Sequence, residues 1–288
     1  MAGLDDVHAV GVNQNPLVVG IRYAVLTALA LLFLLPFYIL IRNGFASSPE
    51  LSGAEYHLIP DELHPENFSE LFTTTRILFA DAMINTAVAS VVQTVLTLLI
   101  AALAGYGLAR IPSRWAKPIL GLTIGTLMIP AAITFIPSFL LASTLGWIGT
   151  YRGLVIPVMF SGFAVFLFRQ YFLGFPRELE EAARVDGLGH WSTFWRIVMP
   201  NSWGFTAAIG MITFIGAWNS FLWPLVINGV DKQNYTVQRA LSAFLNSQSP
   251  NYPLLYAGAA ISVVPLLLLF LFLQRYIVQG VESSGIKG

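Results

Sequence analysis

The stretch Pro176–Pro200, PRELEEAARVDGLGHWSTFWRIVMP, is a charged segment between two apolar runs that are too long for a soluble core. Pro176 suits the first helical position, and the glutamates after it complement the positive end of a helix dipole. Gly187 supplies a left-handed turn that ends this helix, and a second short helix follows until Pro200 blocks its continuation. Each helix is about 15 Å long, about half the thickness of a bilayer core. The segment therefore predicts two helices, joined at a glycine, that lie beside a membrane without crossing it.

Small residues share one face of the first helix. Leu179, Ala182, Ala183 and Asp186 recur at helical spacing, so another surface can approach this face closely. We expect Glu181 to anchor the end of the helix. The alternative is an amphipathic helix that rests on the lipid interface. A passive surface helix, however, has no need to combine a small-residue face, a glycine hinge and a proline stop.

The same segment resembles a known signature. Its matching positions are Glu181, Ala182, Ala183, Gly187, Ile197, Met199 and Pro200. This pattern is similar to the EAA loop of the permeases of ABC importers, with Met199 where the family usually has leucine. Asp186 before Gly187, and Phe194 three residues before Ile197, resemble the carbohydrate-uptake branch, the maltose-type permeases.

The resemblance implies an all-α membrane protein of the type I ABC importer permease class. Six transmembrane helices are expected, with a cytoplasmic coupling-helix loop between spans four and five that docks in a cleft of a cytoplasmic ATPase subunit. The residues to which the resemblance assigns ATPase coupling are Glu181, Ala182, Ala183, Asp186, Gly187, Ile197 and Pro200.

Composition independently places the chain among membrane proteins. It has 288 residues, of which 56% are hydrophobic, and no net charge, with a mean hydropathy of +0.70. A neutral chain without a basic stripe gives no support for nucleic-acid binding. The absence of cysteine excludes disulfides, thiolate zinc sites and iron–sulfur clusters. His57 and His64 lie near carboxylates, but their spacing fits no zinc pattern, so no metal site is predicted.

Apolar runs divide the chain into six predicted spans, at 21–43, 82–109, 119–141, 153–172, 204–227 and 254–273. The predicted organisation is a cytoplasmic arm 1–20, a first transmembrane helix 21–43, an extracytoplasmic loop 44–81, a five-helix core 82–278 that includes the EAA loop 176–200, and a cytoplasmic tail 279–288. Ten of the 15 lysines and arginines lie on the side of the termini and the charged segment. The positive-inside rule therefore predicts cytoplasmic termini. The resemblance implies that the membrane is a bacterial or archaeal plasma membrane.

The predicted source of energy for transport follows from the absence of charged residues inside the predicted spans. The sequence has no charged residue well inside a predicted span, so proton coupling has no visible machinery. It also lacks a GxxxxGK[ST] loop, so we expect ATP and magnesium to bind a partner ATPase, with no cofactor in this chain. The runner-up function is an ion-coupled secondary transporter of a small polar solute, with sodium held by carbonyls and hydroxyls. No catalytic constellation is recognised, which favours a non-catalytic permease subunit over a membrane enzyme.

The resemblance also implies partners. These are a second, homologous permease chain, two cytoplasmic ATPase subunits, an extracytoplasmic solute-binding protein, a sugar-like solute and membrane lipid. Candidate pathway-lining residues are Gln93, Trp218 and Asn219, with packing inside the helix bundle as the alternative. Ser220 follows them where the family usually has an acid. Candidate contacts with the binding protein are Tyr235, Asn246, Gln248 and Tyr252, and a loop that merely touches the partner is the alternative.

Overall fold

The computed structural model describes residues 16–75, 77–229, 231–245 and 250–285, with side chains up to Gln274. The regular elements of these residues are helical: α1 (Pro16–Gly44), α2 (Ser48–Ser52), α3 (Glu66–Thr73), α4 (Phe79–Arg110), α5 (Ala116–Met128), α6 (Ala131–Thr144), α7 (Tyr151–Val155), α8 (Gly162–Leu173), α9 (Arg177–Val185), α10 (His190–Thr193), α11 (Met199–Asn201), α12 (Trp203–Trp218), α13 (Leu222–Ile227), α14 (Val237–Leu245) and α15 (Tyr252–Gly285). Two 3₁₀ turns, Ile156–Val158 and Lys232–Asn234, and a π-helical turn, Phe194–Val198, complete the set. Most of the predicted arm 1–20 and the end of the tail lie outside these residues.

Six crossings are formed in two ways. Three single helices are long and apolar enough to span: α1, α4 and the Tyr252–Gln274 part of α15. The other three candidates are bent pairs, α5 with α6 (100°), Tyr151–Val158 with α8 (50°), and His190–Asn201 with α12 (78°). If each bent pair counts as one span, the described residues hold the six spans that the sequence predicts.

The third predicted span, 119–141, is not one helix. The chain bends sharply between Met128 and Ala131 because Pro130 pushes the preceding residue out of the helical region, and Ile129 has φ −86° and ψ 115°. Pro137, by contrast, lies inside α6 without ending it.

The fifth predicted span, 204–227, also needs correction. Its first helix, α12, ends at Trp218, and α13 begins only at Leu222. The fourth predicted span likewise breaks after Val158 and resumes at Gly162, where the Ser161 hydroxyl caps the new helix by accepting from the Ala164 N–H. Long apolar runs thus predict the crossings but not their breaks.

Helix α4 is the central packing element. It lies against α8 and α12, and α15 in turn packs on α12 and α1. Gly105 permits the close approach to α8, since a Cβ there would lie 2.7 Å from Phe168 Cβ and 2.8 Å from the Arg169 backbone nitrogen. We call the end of α4 that carries Asn85 its outer end and the end that carries Arg110 its inner end, after the predicted orientation.

Two of the three apolar clusters in the described residues lie at the two ends of α4, and the third joins α6, α7 and α13. Around the inner end, an aromatic cluster includes Tyr106, Phe172 and Phe194. Around the outer end, Phe79 and Val237 belong to a second cluster. Helix α1 differs from both ends because no residue in the apolar window of its sequence is buried within this chain, as expected for a helix surrounded by lipid or by another membrane protein.

Candidate functional site

The charged segment folds as the sequence predicts up to its glycine. Helix α9 runs from Arg177 to Val185, with Pro176 just before it as the N-cap residue rather than inside the first turn. Gly187 has φ +80°, a conformation that L side chains rarely adopt, which confirms the predicted left-handed turn. The Leu188 N–H donates to the Ala183 carbonyl at 2.9 Å, so the turn closes the end of the helix with backbone hydrogen bonds.

The second helix departs from its predicted end. It passes through the π-helical turn Phe194–Val198 and continues across Pro200 to Asn201. Pro200 directly follows the π-helical turn, in which the Met199 N–H donates five residues back to the Phe194 carbonyl, so the regular hydrogen-bond pattern is already interrupted where the proline has no N–H. The helix ends at Ser202, whose hydroxyl donates to the Val198 carbonyl at 2.7 Å. Pro200 is therefore not the stop that the sequence suggests.

The predicted coupling residues divide between two faces. Those exposed on the surface of the segment are Glu181, Ala182, Asp186, Gly187 and Pro200. Ala183 is buried and Ile197 half-buried, so these two hold the segment against the bundle. The predicted small-residue face is consequently split, with Leu179, Ala182 and Asp186 outward and Ala183 inward. The exposed apolar area is extended by Val185, of which 88% is exposed.

Adjacent glutamates of α9 point in opposite directions. Glu181 is exposed, whereas the side chain of Glu180 is only 6% exposed and lies 3.1 Å from Arg110, between Oε1 and Nε. These two atoms lack hydrogen-bond geometry, so the contact is an ion pair rather than a directed hydrogen bond. Tyr106 Oη donates to the other oxygen, Glu180 Oε2, at 3.4 Å, and the Arg110 guanidinium donates to the Phe175 carbonyl.

Sequence reasoning missed this cluster. From the sequence, Glu180 is one of the glutamates that complement the helix dipole, and Arg110 has no assigned role. The signal for their pairing was weak, because the partners are 70 residues apart and the charged segment offers several other glutamates and arginines.

A cavity of about 600 Å³ lies where α4, α12 and two of the broken helices meet, and its wall is mainly apolar. We call it the polar cavity after the six polar side chains that it also contains. Its polar lining residues are Gln93, Thr97, Thr126, Thr134, Ser161 and Thr213. The backbone breaks at Ile129–Pro130 and at Ser161 border it, which is where irregular backbone is tolerated at membrane depth. Gln93, a predicted pathway residue, lines this cavity. Thr97 also lines it while donating to the Met159 carbonyl at 2.7 Å.

The other two predicted pathway residues lie elsewhere. Trp218 is 2% exposed, and its indole N–H donates to the Ser262 carbonyl at 3.1 Å, which ties α12 to α15. Asn219 is exposed, donates to the Ile215 carbonyl at 3.0 Å and accepts from Gln238 at 3.2 Å. This geometry favours the packing alternative for Trp218, and neither residue lines the polar cavity.

Two of the predicted binding-protein contacts, Tyr235 and Tyr252, lie on the outer side. Tyr235 is 8% exposed and packs under the Arg239 guanidinium, with 4.6 Å from guanidinium carbon to ring centroid. Tyr252 opens α15 and is 36% exposed. Asn246 and Gln248 lie outside the described residues, so their role stays a prediction.

Comparison with known proteins places this geometry in a family. Residues 97–283 match the model of the binding-protein-dependent transport system inner membrane component. An arabinooligosaccharides transport system permease protein of Bacillus subtilis (strain 168) is 34% identical over 262 residues, which cover 90% of this chain and 92% of that protein. A lactose transport system permease protein of Rhizobium radiobacter is 36% identical over 200 residues, 69% of this chain and 73% of that one.

The fold has a solved counterpart as well. A chain in the crystal structure of a bacterial ABC transporter involved in the import of the acidic polysaccharide alginate superposes with a TM-score of 0.77, covering 92% of this chain and 98% of that one. The sequence identity of that pair is 20%, so the likeness concerns the fold. The family match extends over well more than half of the residues and includes α9, Gly187 and most of the cavity lining. The chain therefore belongs to the binding-protein-dependent transport system inner membrane components, the permease subunits of ABC importers.

Proposed function

We propose that this chain is one of two homologous permease subunits of an importer for a sugar or sugar-like solute, driven by cytoplasmic ATPase subunits. The observation that carries the proposal is the exposed face of α9 and its glycine turn, which presents Glu181, Ala182, Asp186 and Gly187 to the outside of the bundle. Relatives named for arabinooligosaccharides, lactose and, in Yersinia pestis, sn-glycerol-3-phosphate support a carbohydrate-like solute.

Coupling to ATP hydrolysis is assigned to the outward face of α9. Glu181, Ala182 and Asp186 contact the ATPase subunit, and Val185 adds apolar area to the contact. Ala183 and Ile197 hold the segment to the bundle, and the rigid turn at Gly187 keeps the two helices at a fixed angle. A displacement of the ATPase cleft is thereby passed to the helices that surround the polar cavity.

The cavity is proposed as this chain's share of the solute pathway. Among the described residues its lining is mostly apolar and offers an amide and several hydroxyls but no charged side chain, which suits a neutral polyol more than an ion. Gln93 is the residue with the most donors and acceptors there. The partner permease supplies the other wall, and a solute-binding protein delivers the solute at the outer side, close to α14 and the start of α15.

The orientation belongs to the same proposal. The excess of lysine and arginine lies on the side of the termini and α9, so this side is assigned to the cytoplasm. Helix α9 then lies on the side where ATP is available. ATP and magnesium are bound by the partner ATPase, and this chain itself carries no catalytic residue. A sodium-coupled carrier built from this chain alone is the competing function.

Purification of a tagged chain in mild detergent tests the proposal. Wild type should co-purify with an ATP-binding subunit and a second permease, and sugar uptake into vesicles should require internal ATP. Ala182→Trp should lose the ATP-binding subunit, because the bulky side chain blocks close approach, whereas Ala182→Ser should keep it. A wild-type chain that is recovered alone, with uptake abolished by ionophores rather than by ATP depletion, would contradict the proposal.

A further inference from the structure

We infer that Glu180 and Arg110, with Tyr106, form a clasp that makes α9 and the inner end of α4 move as one body during transport. The inference rests on the proposed function and deepens it, because it assigns the connection between the ATPase contact and the pathway to a particular set of atoms. Glu180 immediately precedes the EAA residues and is buried with Ala183 on the inward face of α9, whereas Glu181 and Ala182 are exposed.

We call residues 175–201 the coupling segment. The clasp joins this segment to α4 at two points. Arg110 is the last residue of α4, and its guanidinium contacts both the Glu180 carboxylate and the carbonyl of Phe175, in the loop before α9. One guanidinium thus holds the start of the coupling segment and the first turn of its helix. Because the guanidinium is planar and rigid, it fixes direction as well as distance.

Tyr106 adds a third point, one turn earlier on α4. Its hydroxyl donates to the second oxygen of Glu180, while its ring packs against Phe172 of α8 and Phe194 of the π-helical turn. The ring centroids are 5.8 Å and 5.1 Å apart, respectively. The Glu180 carboxylate is therefore held by two side chains of α4, Arg110 and Tyr106. Phe194, in the second half of the coupling segment, packs against Tyr106.

Burial indicates a role that stability alone does not explain. The side chains of Arg110 and Glu180 are each 6% exposed. A buried ion pair often contributes less stability than apolar side chains of the same volume, although losing one partner is costly. The neighbouring aromatic cluster already supplies apolar packing at this place, so the pair is best explained by the fixed connection that it provides.

Helix α4 carries the connection onward. Thr97 lies 13 residues before Arg110 on the same unbroken helix, about 20 Å away at 1.5 Å per residue, and it lines the polar cavity together with Gln93. The two glutamates then have different roles. Glu181 faces the ATPase, and Glu180 transmits the displacement of the ATPase to α4, the helix that lines the pathway. Glu180 and Arg110 are positioning residues, since neither lines the 600 Å³ cavity that is proposed as the solute pathway.

A distance measurement between α4 and α9 tests the clasp directly. The sequence has no cysteine, so spin labels can be placed at Leu103→Cys on α4 and Glu178→Cys on α9, both exposed, in the complete transporter. We expect the same label distance in ATP-free and ATP-trapped states of the labelled wild type. In Glu180→Gln, the distance should change between the states, and solute uptake per ATP should fall about tenfold, within the range of coupling residues.

Arg184→Gln is the matched control, because Arg184 lies on the same helix and lines the same small polar cavity of about 360 Å³ beside the pair. It should leave both the label distance and the uptake per ATP unchanged. The exchange Arg110→Glu with Glu180→Arg should restore part of the uptake.

Two results would overturn the inference. One is a Glu180→Gln transporter with normal subunits, normal uptake per ATP and an unchanged label distance. The other is loss of the ATPase subunit from Glu180→Gln without any restoration by the exchange, which would assign the pair to folding. Failure of the proposed function is recognised separately, because the wild-type chain would then carry no ATPase at all.

Discussion

The two ends of α4 are held by different chemistry. At the outer end, the Asn85 amide donates to the carbonyls of Gln233 and Tyr235, and the Thr86 hydroxyl accepts from the Val237 N–H at 2.8 Å. At the inner end, Arg110 and Glu180 meet as buried charges. Neutral side chains thus attach α4 to backbone near the proposed binding-protein surface, while charges attach it to the proposed ATPase contact.

This difference has energetic consequences. A neutral hydrogen bond contributes about 1 kcal/mol net, and its loss leaves one unpaired polar group. A buried ion pair that loses one partner leaves an uncompensated charge, at a cost of about 3 to 5 kcal/mol. The inner end should therefore be more sensitive to single substitutions than the outer end, although its pair need not add more stability than apolar side chains would.

The largest effect is expected from Glu180→Leu. Removal of the carboxylate leaves the Arg110 guanidinium buried, and we expect the free energy of unfolding to fall by about 3 to 5 kcal/mol. The double substitution Arg110→Met with Glu180→Leu should lose much less, because no charge remains in the site. Unfolding in detergent with increasing denaturant measures both variants. Equal losses in the single and double variants would mean that the pair does not behave as a buried ion pair.

Close packing at the inner end gives the next effect. Gly105→Ala places a Cβ 2.8 Å from the Arg169 backbone nitrogen, which cannot move without shifting α8. We expect a loss of about 3 kcal/mol, at the upper end of the usual cost of overpacking. Gly107→Ala is the control on the same helix, since a Cβ there meets nothing within 4 Å. It should stabilise the protein by about 0.5 to 1 kcal/mol through helix propensity. The same denaturant titration measures both, and a neutral Gly105→Ala would show that α8 is free to shift.

The outer end should lose less. Thr86→Val keeps the shape of the side chain but removes the acceptor of the buried Val237 N–H, so we expect a loss of about 1.5 kcal/mol. Amide hydrogen exchange at Val237 provides a local measurement and should become faster. Thr86→Ser retains the hydroxyl and should preserve the protection of that amide. Unchanged protection in Thr86→Val would show that another group accepts this hydrogen bond.

Local signals explain which features the sequence predicts well. Gly187 is identified as a left-handed turn because a short helix of good helix formers ends directly before it, and the crossings follow from the length of the apolar runs. The break at Ile129–Pro130 follows from local chemistry too, but the prediction of a continuous third span gave apolar length more weight than the effect of proline on its neighbour.

The features that the sequence does not predict depend on tertiary contacts. The opposite directions of Glu180 and Glu181 are set by where the inner end of α4 ends in space, and no property of the EEAA stretch distinguishes the two residues. From the sequence, Trp218 is a candidate for lining the pathway, with packing inside the bundle as the alternative, and no local signal decides between the two. Its direction is decided by the Ser262 carbonyl on α15, which is 44 residues away.

The smallest effect concerns an exposed charge on the outer side, and it contrasts with the buried pair. The hydrogen bond and charge of Asp61, 2.7 Å from His57 Nδ1, raise the pKa of the His57 imidazole, with smaller contributions from Glu55 and Glu50. Since this folded-state pKa lies above its unfolded value, the contribution to stability is present below the unfolded pKa and is lost as pH rises through the folded one. Solvent screens exposed charges, so the midpoint of unfolding should hardly change across that pH interval.

An NMR titration of His57 should give a lower pKa in Asp61→Asn than in wild type, and a smaller decrease of this pKa in the control Glu55→Gln. Equal decreases in the two variants would mean that the general negative charge of this loop, rather than the contact with Asp61, sets the pKa of His57.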